Sequence, residues 1–429
     1  MYLLDDLLKH LASLHSDGIG ADPEAYQELS ALTISHPVVA ELQKLDPFSP
    51  SYDDTVRKLY LELSGRDEYR AERDELDPGA CSLTSNRDLF TRISPWSFQN
   101  AAFMAEFMSS WAAMMRHMPA SSDADVLEYG PGSGQFLLSL ARLGYRTYGV
   151  DIEPAYLQLI QQQAQAMGLS VRTEQGRFGE GFAGQRFDRI VFFEAFHHSL
   201  DFLSLLQSLH GKIADNGRLI LCGEPIVDDL ITGPVPFPWG PRLDGLSVHC
   251  MRSLGWMELG FQRSFLVDAL MRCGWIVQYF PSNECFRANL YLARPWMGDI
   301  PLGDALELGG CARGWSDPEG QHRWTTGFAE LPMPCLLHQK FDVTIAVGNY
   351  VPEPLRGRIS CGEVAQTVSL AVGEEATIRL RGCTDSRLRI DVPGRVLSAI
   401  IPNSADTRTL GIAVRSIEVT PAGGQETSD

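Results

Sequence analysis

Between Asp125 and Pro154 the chain reads DVLEYGPGSGQFLLSLARLGYRTYGVDIEP, and no other stretch restricts the fold as much. Val126, Leu127 and Tyr129 make a short apolar strand signal. Gly130, Gly132 and Gly134 follow, and a turn built on glycines lets backbone approach a ligand with no Cβ in the way. Phe136, Leu137, Leu140, Ala141 and Leu143 recur at helical spacing, so this helix is expected to pack back on a sheet. A second strand ends at Asp151, where a carboxylate can accept both hydroxyls of a ribose. These features predict a nucleoside-binding βαβ unit.

At 429 residues the chain exceeds one ordinary core and implies two or three domains. Apolar residues make up 44% and charged residues 21%, the balance of a soluble globular protein. A formal net charge of −18 argues against nucleic acid, or an anionic membrane surface, as the main partner. No apolar run approaches the roughly 20 residues of a transmembrane segment. The start, MYLLDDLLKHLASLH, carries early acids and helical spacing, unlike a signal peptide. Nine scattered cysteines without a CxxC pair point to reduced thiols in a cytoplasm and no structural zinc.

Residues 1–95 read as an N-terminal helical region, with one stripe through Leu3, Leu4, Leu7, Leu8 and Leu11 and a helix over Thr55–Leu63. The charged run GRDEYRAERDELD reads as a solvated face or loop. From 96 to 298, strands alternate with amphipathic helices, which predicts a Rossmann-like α/β fold with a parallel sheet covered on both faces. The helix over Trp96–Met118 is expected to pack on that sheet, or to cover the ligand. Residues 224–261 interrupt the alternation with a long Pro-, Gly- and Trp-rich insertion at a strand's C-terminal end, where α/β sheets bind ligands. Over 299–420, short alternating runs with turn residues between them predict an antiparallel β-sandwich, followed by a disordered tail, 421–429.

The turn Gly130-Pro131-Gly132-Ser133-Gly134 does not have the GxGxxG spacing of dinucleotide sites. VLEYGPGSG followed by GVDIEP, then FDRIVFFEAFHHSLDF and ADNGRLILCGEP, instead resembles class I S-adenosylmethionine-dependent methyltransferases over about residues 120–295. That resemblance implies a seven-stranded sheet and S-adenosyl-L-methionine as cofactor. Gly130, Pro131, Gly132 and Gly134 would lie under its methionine moiety, with Glu128 near the amino group. Asp151 would hold the ribose, Ile152 the adenine, and Gln175, Gly176, Arg177 and Phe178 are candidates beside it. Glu194 would face the methionine end or the acceptor.

An alcohol acceptor needs its proton removed, and histidine is suited to this near neutral pH. His197 and His198 follow the fourth strand, so either is a candidate base; the alternative is that they only shape the pocket. Glu224 faces the same cleft, and with Asp228 and Asp229 could recruit a metal; adjacent loop acids are more often solvated, and no metal is expected. In the insertion, Trp239, Arg242, Asp244, Trp256 and Glu258 combine aromatic faces with hydrogen-bonding charges suited to a sugar ring. The runs Gly314–Glu319 and Asp406–Ile412 resemble β-sandwich modules of bacterial surface-polysaccharide enzymes, which tilts the acceptor towards a glycan hydroxyl. The alternatives are a small natural product, a sugar nitrogen, a terminal phosphate, or a non-catalytic glycan-binding scaffold. Homo-oligomerisation or association with glycosyltransferases fits the glycan reading.

Overall fold

The computed structural model of the chain describes residues 28–77, 88–230, 233–296, 298–300, 312–334, 340–385 and 387–422, with Leu4, Leu7 and Leu302. The stripe expected from Leu3 to Leu11 and the tail 421–429 lie largely outside the described residues. The chain packs as two units, residues 1–265 with 280–292, and residues 266–279 with 293–429.

In the first unit, β1 (Asp125–Tyr129), β2 (Arg146–Asp151), β3 (Val171–Gln175), β4 (Phe187–Phe193) and β5 (Ile213–Cys222) pair in parallel. The insertion folds into β6 (Ile226–Val227), β7 (Trp239–Pro241) and β8 (Leu259–Gln262), a small separate sheet, with a helix over Gly245–Ser253. With β9 (Trp275–Phe280) and β10 (Leu290–Pro295), the main sheet has seven strands in the order β3-β2-β1-β4-β5-β10-β9. Its first crossing places the switch in strand order between β1 and β4, and Gly130, Asp151, Glu194 and Glu224 all fall at the carboxyl edge there.

Both faces are covered, and Val126, Leu127, Glu128 and Tyr129 of β1 and Ile190, Val191 and Phe192 of β4 are buried. The helix Ala101–Met115, capped by the Asn100 side chain, sets Phe107, Trp111 and Met114 against Val126, Val191 and Ile220. Beside that cluster Leu137 and Leu138 meet Ile160, Ala164 and Val171.

Two expectations change here. The helix predicted over Thr55–Leu63 runs from Pro50 to Ser64, because Ser49 caps it and Pro50 is tolerated in its first turn. The charged run is largely exposed or half-buried, as expected of a solvated face, but not throughout. Asp74 is fully buried, 2.9 Å from Arg66 and 2.8 Å from Arg73, and accepts from the Arg70 backbone. A buried carboxylate needs such partners, and here they stand within eight residues of it.

The second unit contains one connected antiparallel sheet of nine strands instead of two facing sheets. Its main path runs through Val364–Leu370, Leu355–Cys361, Arg387–Asp391, His322–Pro332, Ala413–Pro421, Phe341–Gly348 and Glu375–Cys383. The first and last strands on that path also lie near one another, so the sheet curls towards a barrel. Among the described residues no helix is long and apolar enough to cross a membrane.

Candidate active site

Two adjoining cavities, of about 510 and 320 Å³, open at the carboxyl edge and share Gly130, Gly132, Tyr156 and Glu194 as walls. Gly130 and Gly132 have φ of +64° and +50°. A Cβ at Gly130 would stand 2.8 Å from the Ala195 side chain, whereas one at Gly132 would meet nothing within 4 Å. The turn therefore needs glycine for its left-handed backbone and leaves open space above Gly132.

Asp151 is buried at the end of β2, in the larger cavity. Its Oδ2 accepts from Gly132 N–H at 3.1 Å and its Oδ1 from Glu153 N–H at 2.9 Å, so the carboxylate is fixed before any ligand arrives. Burial raises its pKa to about 6, with the two backbone donors opposing. Glu128 lines the smaller cavity and its Oε2 is buried without a partner. Burial pushes that carboxyl up to about 8. Ile152, Gly176, Arg177 and Phe178 line the larger cavity, and Pro131 the smaller. Glu194 lines both in a left-handed conformation, φ +52°, paired with Arg287.

Gly134 and Gln175 are not among these walls. Gly134 starts the helix Gln135–Arg142, and a Cβ there would stand 2.4 Å from Ile160, so close helix packing is what it permits. Gln175 turns back to donate to Ile152 O at 3.2 Å.

The histidines occupy the far wall. His198 lines the larger cavity, its Nδ1 3.1 Å from Glu75 Oε2 and its ring edge-on to Trp256, with 5.8 Å between centroids. Burial alone would lower its pKa, but the Glu75 carboxylate prevails and lifts it to about 9. His197 lies behind it, rings 4.3 Å apart, and its pKa is lowered by burial and by His198. Glu224 does not point into the cleft as expected. Its Oε1 accepts from the backbone of Ala195 and Phe196, and its Oε2 from His197 N–H, beside His197 Nδ1 at 2.8 Å. These contacts hold its pKa below the usual range despite burial. It is a positioning residue, and Asp228 and Asp229 are engaged elsewhere, by Arg263 and by the Ser264 backbone.

Of the five insertion residues only Trp256 lines the larger cavity. Trp239 is 2% exposed, packs on Tyr52 and Phe202, and donates from its indole to Pro47 O. Asp244 caps the helix Gly245–Ser253 through Ser247. Arg242 is paired with Glu258, whose Oε2 is 3.8 Å from His197 Nε2. Trp239, Arg242, Asp244 and Glu258 are not among the walls of either cavity.

Tyr69, Glu75 and Asp77 line the cavity, and all three were hidden in the charged run. Tyr69 O–H and Met257 N–H each donate to Glu75 Oε1 at 2.7 Å, which fixes the carboxylate that faces His198. Nothing in the sequence separates these three from the exposed charges around them; only tertiary contact joins them to the histidine wall.

Residues 84–234 match the family model described as "Methyltransferase domain". Over 97 residues the chain is 32% identical to a ubiquinone biosynthesis O-methyltransferase from Azorhizobium caulinodans. That match covers 22% of this chain and 38% of that protein, so the chain spans little more than a third of its relative. Solved structures of similar form include the YcgJ protein of Bacillus subtilis, 21% identical, covering 41% of this chain and 71% of that one, TM-score 0.35. Another is the magnesium protoporphyrin IX methyltransferase of Synechocystis with bound SAH, 15% identical, covering 50% and 89%, TM-score 0.33.

The glycine turn, the unpartnered Glu128 oxygen and the prearranged Asp151 fit a ligand with a cationic amino group and a ribose. They lie within the segment that matches the methyltransferase-domain model, and they suit S-adenosylmethionine as its cofactor. Bound there, the cofactor supplies an electrophilic methyl group on a sulfonium.

Proposed function

We propose that this chain is an O-methyltransferase whose acceptor sits between the glycine turn and the His198–Trp256 wall. One observation carries the reading: His198 lines the cofactor cavity with its Nδ1 held beside Glu75, which is itself held by Tyr69 and Met257. A histidine–carboxylate pair at that wall suits removal of a hydroxyl proton, a role typically contributing about 10²–10⁴-fold. Glu128, Gly130, Gly132 and Asp151 hold the cofactor. Glu224 orients His197, and Tyr69 orients Glu75.

The acceptor reading is a sugar hydroxyl of a bacterial surface glycan or its precursor. Trp256 offers an apolar ring face and Glu75 and Tyr69 offer polar groups, the pairing a sugar uses. The similarity to a ubiquinone biosynthesis O-methyltransferase favours a second reading, a phenolic hydroxyl on a ring stacked by Trp256. Labelled methyl transfer from S-adenosylmethionine, run in parallel on oligosaccharide fractions and on simple catechols, separates them. Transfer to neither, with the cofactor bound, would remove the O-methyltransferase reading.

A further inference from the structure

The histidine wall has a feature that proton removal alone does not require. Each ring has a carboxylate at Nδ1: Glu224 at 2.8 Å from His197 and Glu75 at 3.1 Å from His198. An outer carboxylate at one ring nitrogen is the arrangement that fixes metal-binding imidazoles, leaving Nε2 as the ligand atom. Glu258 provides a third donor, its Oε2 3.8 Å from His197 Nε2. One donor atom from each of His197, His198 and Glu258 lies within 4.8 Å of the other two. Ligands at about 2.0–2.2 Å from a common ion stand roughly 3–4 Å apart, so small side-chain movements close this set.

Glu75, Glu224 and Glu258 surround the two rings, and the Arg242 guanidinium is in contact with Glu258 Oε2. A wall with this many carboxylates suits a divalent cation. Arg242 contacts the same Oε2 that faces His197 Nε2, so the ion takes the other oxygen of Glu258 or displaces the guanidinium.

We propose that His197, His198 and Glu258 bind a divalent transition-metal ion at the back of the cavity, zinc being the best match to two imidazoles and a carboxylate. This departs from the metal-free site expected from the sequence, and it uses neither Asp228 nor Asp229. The ion's role, though not its binding, rests on the methyltransferase reading: it takes the acceptor hydroxyl at an open position and makes it more acidic. Glu75, which lines the same cavity, then receives the proton.

The test uses full-length protein stripped with a chelator and titrated with Co²⁺, read by visible d–d absorption. S-adenosylmethionine binding is measured by calorimetry on the same sample. Stoichiometric absorption that disappears in His198→Gln and in Glu258→Gln, each with a cooperative melt, establishes the site. Absorption no greater than that of His198→Gln overturns it. Where a variant melts without cooperativity, the unmodified protein decides: Zn²⁺ should raise its melting temperature and Mg²⁺ should not, and equal melting in both overturns the site. Cofactor binding without Co²⁺ uptake removes the metal and leaves the methyltransferase reading. Co²⁺ uptake without cofactor binding does the reverse.

Discussion

Glu224 Oε2 receives the backbone N–H of His197 at 3.0 Å and lies 2.8 Å from the Nδ1 of the same residue. One carboxylate thus fixes both the chain and the ring of His197, while its other oxygen accepts from Ala195 and Phe196. Glu224→Ala leaves three buried N–H groups without acceptors, each costing roughly 1–3 kcal/mol. A loss of several kcal/mol in urea unfolding is the expected result. Glu224→Gln keeps an acceptor oxygen and should lose clearly less. Equal losses would show that a neutral acceptor oxygen at this position contributes nothing, against the hydrogen-bond account.

Glu75→Gln and His198→Gln should each lower kcat by roughly 10²–10⁴-fold if this pair takes the acceptor proton. The effects should be far from additive in the double variant, because the two side chains act as a unit. S-adenosylmethionine affinity, measured by calorimetry, should hardly change. A fall in cofactor affinity matching the fall in kcat would assign the pair to cofactor binding instead.

Asp151 accepts ribose hydroxyls best as a carboxylate, and its pKa in the free protein is about 6. Affinity for S-adenosylmethionine should be level above about pH 7 and weaken as the pH drops through 6. Asp151→Ala should cost about 1.5–3 kcal/mol for each hydrogen bond lost to the charged group, and should abolish this pH dependence. A flat profile in the unmodified protein would place the ribose elsewhere.

Glu128 has its pKa raised to about 8, so at pH 7 its carboxyl is largely protonated in the free protein. A cationic amino group beside the unpartnered oxygen favours the carboxylate, and the carboxyl proton must leave. Binding at pH 7 should release up to about one proton, seen as a dependence of calorimetric enthalpy on buffer ionisation enthalpy. The dependence should vanish in Glu128→Gln. No buffer dependence at pH 7 would count against Glu128 meeting the amino group.

The two tryptophans should separate cleanly. Trp239→Ala removes a buried ring packed on Tyr52 and Phe202, and should cost about 3–5 kcal/mol of stability. Trp256→Ala should raise the KM for the acceptor with a smaller effect on melting. An unchanged KM would remove Trp256 from the acceptor site.

The cofactor end of the site was legible along the chain because its parts are consecutive. A βαβ unit confines the glycine turn and Asp151 to one sheet edge through local geometry, so spacing carries the information. Even there, Gly134 proved to serve helix packing and Gln175 to face backbone, since a motif places residues but does not aim them. Periodicity likewise identified the alternating strands and helices, and the β-rich end of the chain.

At the proposed acceptor end the sequence singled out His198 and Trp256, but which side chains stand with them was decided by tertiary structure. Glu75, His198 and Trp256 come from three separate segments and meet only when the folded insertion closes on the charged run. In sequence, the acids of that run look like any solvated face. Trp239 and Asp244 look like sugar ligands until burial shows a core ring and a helix cap. The physical reason is the same in each case. Local pattern records which residues prefer water or a strand, whereas a side chain's role depends on partners far away in the chain and on whether solvent can still reach it.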